Sequence, residues 1–248
     1  MKKIYCLLSV RTSSKRLKNK CLLPFGEELV LDHVIKRCLY YKLKPIICTS
    51  IDKSDSGLNY FAKKYKIKIF RGSLNNKILR WFDCCKKFKI RSFHTIDVDD
   101  PFFDPLTVLS SMKLLDQGYD LIKASLRSRN GGASEGYSIK CSSLMNIIES
   151  NNLYSNKIDT EMIEKFLNIN NLKTISLSNS IYETKLKFRL TLDYLEDYIF
   201  LKIIRSKFSF NTPRKIINNY LNKNTQLKKI NYFRNSEWKK KQEQKINT

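Results

Sequence analysis

The sequence predicts a three-layer α/β/α domain built on a mainly parallel sheet, and three observations carry that prediction. Short apolar runs rich in β-formers alternate with segments whose apolar residues recur at spacings of three and four, the rhythm of a sheet covered by helices on both faces. Several of the runs end in polar loops, as the carboxyl ends of parallel strands do where ligands bind. A chain of 248 residues, 42% hydrophobic and 28% charged, is long enough to bury such a core without disulfides.

Taken in order, residues 3–10 form a first strand that runs into the polar loop 11–20. Leu31, Val34, Ile35, Cys38 and Leu39 lie on one face of a helix over residues 30–41, and a second strand follows at 45–49. Residues 56–64 read as a helix with Leu58, Phe61 and Ala62 on one side. The stretch 67–70 alternates as a third strand before the Arg71-Gly72-Ser73 turn. A helix at 78–88 leads to a fourth strand at 92–97, which runs into Asp97, Asp99 and Asp100 before Pro101 and Pro105 punctuate a loop. A helix at 106–117 and a strand at 120–125 complete the regular alternation.

Residues 129–175 break the rhythm. Gly131-Gly132 opens an excursion that carries a short strand at 137–139 and a helix at 142–150. A strand at 187–192 then leads to Asp193, a helix follows at 195–208, and another spans 213–220. The domain therefore extends over residues 1–210, with a final helix and basic tail over 211–248. In a parallel-centred sheet the loops 11–20, 71–76 and 97–100 converge on one crevice.

Composition narrows the function. The longest apolar runs fall far short of the roughly 20 residues a membrane-spanning helix needs. The apolar stretch at the amino end stops at Arg11 without a small-residue cleavage site, so it reads as a strand and not as a signal peptide. Seven cysteines with no C-x-x-C pair point to neither a disulfide framework nor a zinc site, and to a reducing, cytoplasmic setting. The net charge of +24 comes from 35 Lys and 12 Arg in a chain also rich in Asn and Ile, the pattern of an AT-biased composition. No RNA-recognition or zinc-finger pattern accompanies it, so nucleic acid is not the expected partner. His33 and His94 have no sequence partner that would suggest a triad or metal site.

The loop from Ser9 to Lys20 places five cations, three Ser hydroxyls and Thr12 directly after a strand, an arrangement suited to a polyphosphate. Asp99 and Asp193, each just past a predicted strand, are placed to share one Mg²⁺ that also takes phosphate oxygens. Taken singly, either Asp is more often a helix-cap or turn residue. Asp97-Val98-Asp99 also has the form of a glycosyltransferase metal motif, and the charge alone fits a polyanion-binding protein. The triphosphate-sized basic loop speaks against the glycosyltransferase.

At this point the residues resemble a family. Arg11-x-x-Ser14-x-Arg16-Leu17-x-x-Lys20 is similar to the signature loop of the cytidylyltransferases that make CMP-activated acidic sugars, relatives of CMP-Kdo and CMP-sialic acid synthetases. The likeness is to the spore-coat polysaccharide cytidylyltransferase-like branch. Further marks are Phe70-Arg71-Gly72-Ser73 with Arg80, the run from Asp99 to Pro105, and Arg189-Leu190-Thr191-Leu192-Asp193-x-x-Glu196-Asp197. The sequence departs from the pattern with Ser13 where the family carries Gly and Lys18-Asn19 where it carries Pro-Gly. It reads Asp159-Thr160-Glu161-Met162 where many branch members carry a His-containing motif.

The resemblance implies a nucleotide-diphospho-sugar transferase-like, Rossmann-like fold and attack of an acceptor oxygen on the α-phosphorus of CTP. Arg11, Lys20 and Asp99 would be catalytic. Val10, Arg11, Ser14, Arg16, Lys20, Arg71, Ser73 and Asp97 would bind the nucleotide. Asp99 and Asp193 would hold Mg²⁺, and Arg127, Arg129, Glu135 and Lys140 would meet an anionic acceptor: an acidic sugar of the Kdo or nonulosonic type, or a small phosphonate. The same analogy makes the chain a homodimer through the 129–175 excursion.

Overall fold

The structure is a computed structural model and describes residues 3–14, 16–125, 134–177 and 188–247, with side chains to residue 240. A seven-stranded sheet forms its middle layer in the order β5-β4-β1-β6-β8-β7-β9. The strands are β1 (Tyr5–Ser9), β4 (Lys44–Ser50), β5 (Lys68–Gly72), β6 (Ser92–Asp97), β7 (Leu121–Lys123), β8 (Ser138–Lys140) and β9 (Thr174–Ser176). β1 pairs in parallel with β4 and β6, and β4 with β5. β8 runs antiparallel to both β6 and β7, and β9 is parallel to β7. A two-stranded ribbon, β2 (Pro24–Phe25) with β3 (Glu28–Leu29), turns at Gly26, whose φ of +74° suits a residue without a Cβ.

Period-two alternation divides the core into two layers. Cys6 and Leu8 of β1 and Ile47 of β4 pack with Leu31, Val34 and Ile35 of α1 (Val30–Tyr40). In the same layer lie Phe61 of α2 (Asn59–Lys64), Val108 and Met112 of α4 (Pro105–Asp116), Phe200 and Ile204 of α6 (Leu195–Lys207), and Ile217 and Leu221 of α7 (Arg214–Lys223). Leu7, Ile46 and Cys48 face the other way, against Ile78, Trp81 and Cys84 of α3 (Lys77–Phe88) and Leu144, Ile147 and Ile148 of α5 (Cys141–Ser150). The three-layer prediction therefore holds, with each fully buried Leu or Ile contributing roughly 1.5–3 kcal/mol of transfer free energy.

Four differences have physical causes. The helix expected at 56–64 begins as a 3-10 helix, Lys53–Leu58, because Asp52 accepts the Ser54 N–H at 2.9 Å and starts the turn early. The excursion returns β8 to the middle of the sheet, between β6 and β7. No strand covers the described residues of the 187–192 segment; it lies irregularly beside the site, where the Leu192 N–H donates to Asp99 O at 2.7 Å. The expected basic tail is helical, with a 3-10 helix at Thr225–Ile230 and α8 (Arg234–Asn247). No helix among the described residues is long and apolar enough to cross a membrane.

Candidate active site

The site forms at the carboxyl ends of β1, β4, β5 and β6, where parallel strands deliver their loops to one edge. The loop after β1 is held in place by Asp55, which is fully buried. Asp55 Oδ1 accepts both the Thr12 N–H and the Thr12 hydroxyl at 2.8 Å, and Oδ2 accepts the Thr49 hydroxyl at 2.9 Å and the Ser50 hydroxyl. Burial pushes this carboxyl up, but the donors from Ser50, Thr12 and Thr49 outweigh it and hold the group below its ordinary value. The loop closes at Asn19, whose φ of +52° is left-handed, and passes into a 3-10 turn that begins at Lys20.

From this loop Lys20 reaches into the crevice. Its Nζ lies 2.5 Å from Asp99 Oδ2 and 2.9 Å from Asp193 Oδ1. Arg16 Nη2 lies 2.6 Å from the same Asp193 oxygen. Burial pulls the Lys20 ammonium down, but Asp99 and Asp193 more than reverse the effect and hold it above its ordinary value. Asp193 shows the converse: burial raises it, and Lys20, Arg16 and Arg189 bring it down to about 2. For Asp99, burial with the carboxylates of Asp193 and Asp97 outweighs Lys20 and raises the group. Asp100 is buried, and burial together with Asp99 and Asp97 raises it well above the carboxylate range.

The Lys20 ammonium lies between Asp99 Oδ2 and Asp193 Oδ1. Among the described residues no group of three or more His, Cys, Asp or Glu is placed to hold a metal. Mg²⁺ needs no such cage, because it binds through one or two carboxylates together with water and substrate phosphates. The hard oxygen donors of Asp99 and Asp193 fit it.

The remaining predicted residues divide into those at this edge and those elsewhere. Arg11 is at the edge, its Nη1 donating to Leu74 O at 3.1 Å and its Nη2 3.7 Å from Glu161 Oε2. Val10 is buried behind the loop, and the Ser14 N–H turns back to Thr12 O at 3.0 Å. Asp97 pairs with Lys77 Nζ at 2.7 Å. Arg71 braces the turn after β4, with Nε donating to Ser50 O at 3.0 Å and Nη2 to Asp52 O at 2.7 Å. Ser73 Oγ donates to Asn156 O at 3.1 Å and accepts the Asn76 N–H at 3.0 Å, so this hydroxyl is engaged in building the start of α3.

Glu135 lies beside the site, lining a small cavity with Asp97, Asp100 and Ser134, and its Oε2 accepts the Ser125 N–H at 2.8 Å. Lys140 is not brought to the site. Because β8 runs antiparallel to β6, Lys140 stands opposite Ser92 at the far edge of the sheet, and its Nζ pairs with Asp120 at 2.9 Å. Arg127 and Arg129 lie outside the described residues.

Sequence reasoning gave no site-building role to Asp55, Lys77, Glu161 or Arg189, although the last two stand in motif stretches named above. Only Arg189 had a visible signal, the four-residue spacing of Arg189, Asp193 and Asp197. The others come from sequence-distant segments that only the fold brings near.

Arg16 and Lys20 face two carboxylates at the carboxyl edge of a mainly parallel sheet, and by the family it matches the chain is a nucleotidyltransferase. The chain belongs to the cytidylyltransferase family, which it matches over residues 5–237. It is 26% identical over 241 residues to the uncharacterized protein MJ1063 of Methanocaldococcus jannaschii, covering 92% of this chain and 94% of the relative. It is 28% identical over 127 residues to the spore coat polysaccharide biosynthesis protein SpsF of Bacillus subtilis, covering 48% and 53%. A cytidylyltransferase structure from Leptospira borgpetersenii superposes with a TM-score of 0.79 at 24% identity, covering 91% of this chain and 96% of that one, and so shares the fold.

Proposed function

We propose that this enzyme transfers CMP from CTP to an anionic acceptor and releases pyrophosphate, with Mg²⁺ bound by Asp99 and Asp193. The supporting observation is Lys20, whose ammonium lies 2.5 and 2.9 Å from those two carboxylates within a loop that also carries Arg11 and Arg16. In the reaction an acceptor oxygen attacks the α-phosphorus, the bond to the β-phosphate oxygen breaks, and pyrophosphate leaves. Bound Mg²⁺ would neutralise charge on the phosphate oxygens. Lys20, released from its bridge between the carboxylates, joins Arg11 and Arg16 in pairing with the triphosphate and the departing pyrophosphate. Positioning and charge neutralisation account for the catalysis.

The acceptor is an acidic sugar of the Kdo or nonulosonic type or a small phosphonate, and the product serves cell-surface polysaccharide. The likeness to a spore coat polysaccharide biosynthesis protein supports that role. The homodimer through residues 129–175 remains part of this reading, and light scattering giving a monomer mass would remove it. The test of function is pyrophosphate release from CTP, ATP, GTP and UTP with Mg²⁺ against a panel of acidic sugars and phosphonates. Release confined to CTP with one acceptor class is the expected result. Turnover of a sugar nucleotide with no nucleoside triphosphate would replace this reading with a glycosyltransferase.

A further inference from the structure

Arg189 is fully buried and shares its guanidinium among three partners. Nε donates to both oxygens of Asp197 at 2.9 and 3.1 Å, Nη2 to Asp193 Oδ2 at 3.0 Å, and Nη1 to Asn235 Oδ1 at 3.2 Å. Asn231, just before α8 and also buried, donates its Nδ2 to Arg189 O at 2.8 Å and to Asp197 Oδ1 at 2.9 Å. Asp197 Oδ2 in turn accepts the N–H groups of Asp193 and Tyr194 at 3.0 Å each. Asp197 thus fixes the backbone at Asp193 while Arg189 takes one oxygen of its carboxylate.

The two oxygens of Asp193 therefore have separate partners. Oδ2 faces Arg189, away from the crevice, and Oδ1 faces Lys20 and Arg16. Charge balance alone does not require this arrangement, since Asp197 already supplies a buried counter-charge to Arg189. What the second contact adds is orientation, as outer-shell donors do for carboxylates that hold metals. We propose that Arg189, clamped by Asp197 and by Asn235 of α8, is a positioning residue that presents one oxygen of Asp193 to the crevice, which makes α8 a working part of the active centre. The inference rests on the reading of Asp193 as a carboxylate that holds Mg²⁺.

The test uses full-length Asn235→Ala, Asn235→Asp, Arg189→Lys and, as reference, Asp193→Asn. Each is measured for thermal melting, for the Mg²⁺ dependence of CTP binding by calorimetry without acceptor, and for turnover. In Asn235→Ala, one step further from Asp193 than Arg189, the Mg²⁺ concentration for half-maximal CTP binding should rise severalfold, below the roughly tenfold or more expected of a direct outer-shell partner. Asn235→Asp retains an acceptor for Nη1 and should restore the wild-type value. Arg189→Lys cannot serve three partners and should show the larger shift; should it fail to fold, Asn235→Ala still decides. A lower melting temperature in Asn235→Ala with unchanged Mg²⁺ dependence would reduce Arg189 to a structural ion pair and overturn the proposal. If Asp193→Asn itself leaves the Mg²⁺ dependence unchanged, the assignment of Asp193 falls, and with it the role given to Arg189.

Discussion

Lys20 concentrates the electrostatics of the site in one side chain. Its ammonium is mostly shielded from water, where opposite charges attract more strongly than at a surface. Replacement by Ala removes a charge that pairs with carboxylates in the free enzyme and, on the proposed mechanism, with phosphates in the transition state. We expect Lys20→Ala and Asp99→Asn each to lower kcat/KM by about a hundredfold or more, the scale of lost charge stabilisation in a preorganised site, with cooperative melting retained. Steady-state kinetics beside circular dichroism would check this, and unchanged turnover in either variant would remove that residue from the site. One residue earlier, Asn19 resolves a departure from the family pattern. The family carries Gly there, the chain adopts φ +52°, and Asn is among the few residues with a side chain that enter the left-handed region readily. Asn19 therefore supplies a left-handed turn without a glycine.

At the scale of elements, Gly136 controls how β8 meets β6. Its φ is +66°, and a Cβ there would lie 2.0 Å from Thr95 O, a backbone atom that cannot move without disturbing the ladder. The flanking hydrogen bonds, Thr95 N–H to Tyr137 O and Tyr137 N–H to Thr95 Oγ1, are both 2.8 Å. Gly136→Ala should therefore destabilise the fold by about 3 kcal/mol, combining backbone strain with overpacking. A urea midpoint equal to that of the wild type would contradict that close approach. The elements themselves were largely legible. Apolar periodicity located α1, α3, α4, α5 and α6 because each buries one continuous face. It missed β2 and β3, two residues each and too short for any period to register, and β9, an edge strand with no fully buried residue. It extended α7 only to residue 220, whereas the helix ends at Lys223, where no Gly or Pro marks the stop.

For the whole molecule, acid stability depends on buried groups of opposite sign. Burial takes His33 down from 6.5 to about 4, against the pull of Glu28 and with Arg37 and Arg205 reinforcing it; burial does the same to His94. The unfolded chain takes up a proton near the ordinary value and the folded chain only near pH 4. Stability from each His is therefore present above pH 6.5 and lost as pH falls toward 4, on the order of 3 kcal/mol apiece. Asp99 and Asp100, raised by burial, work in the other direction, since the folded state binds their protons first. His33 stacks edge-on between Phe25 and Phe102 at centroid distances of 5.0 and 5.1 Å, so His33→Phe keeps the aromatic cluster and removes the titration. Its stability should fall less steeply than that of the wild type between pH 6.5 and 4, measured by urea unfolding across that window; parallel curves would show that His33 protonates normally.

The same scale shows why the site was only partly readable. Asp99 and Asp193 could be singled out because each is a charged residue just past an apolar run, and Lys20 because it ends the basic loop that follows the first strand. Asp55 and Lys77 act through contacts 43 and 20 residues away in sequence, which no local pattern encodes. Lys140 was misplaced because the direction of a strand in its sheet is a tertiary property, invisible in three alternating residues.

The insertion of β8 also divides the sheet into two blocks. β5, β4, β1 and β6 form an unbroken parallel block drawn from residues 5–97, but β7 has no neighbour in that block and joins it only through β8, which comes later in the chain. The sheet is therefore a finished plate with a separate clasp of β8, β7 and β9 that fastens along one edge. The phosphate-facing loop grows from the plate, whereas Glu135 lies between β7 and β8 of the clasp. Partial opening of that edge would loosen the Glu135 side of the crevice and leave the bed of Arg11, Arg16 and Lys20 standing.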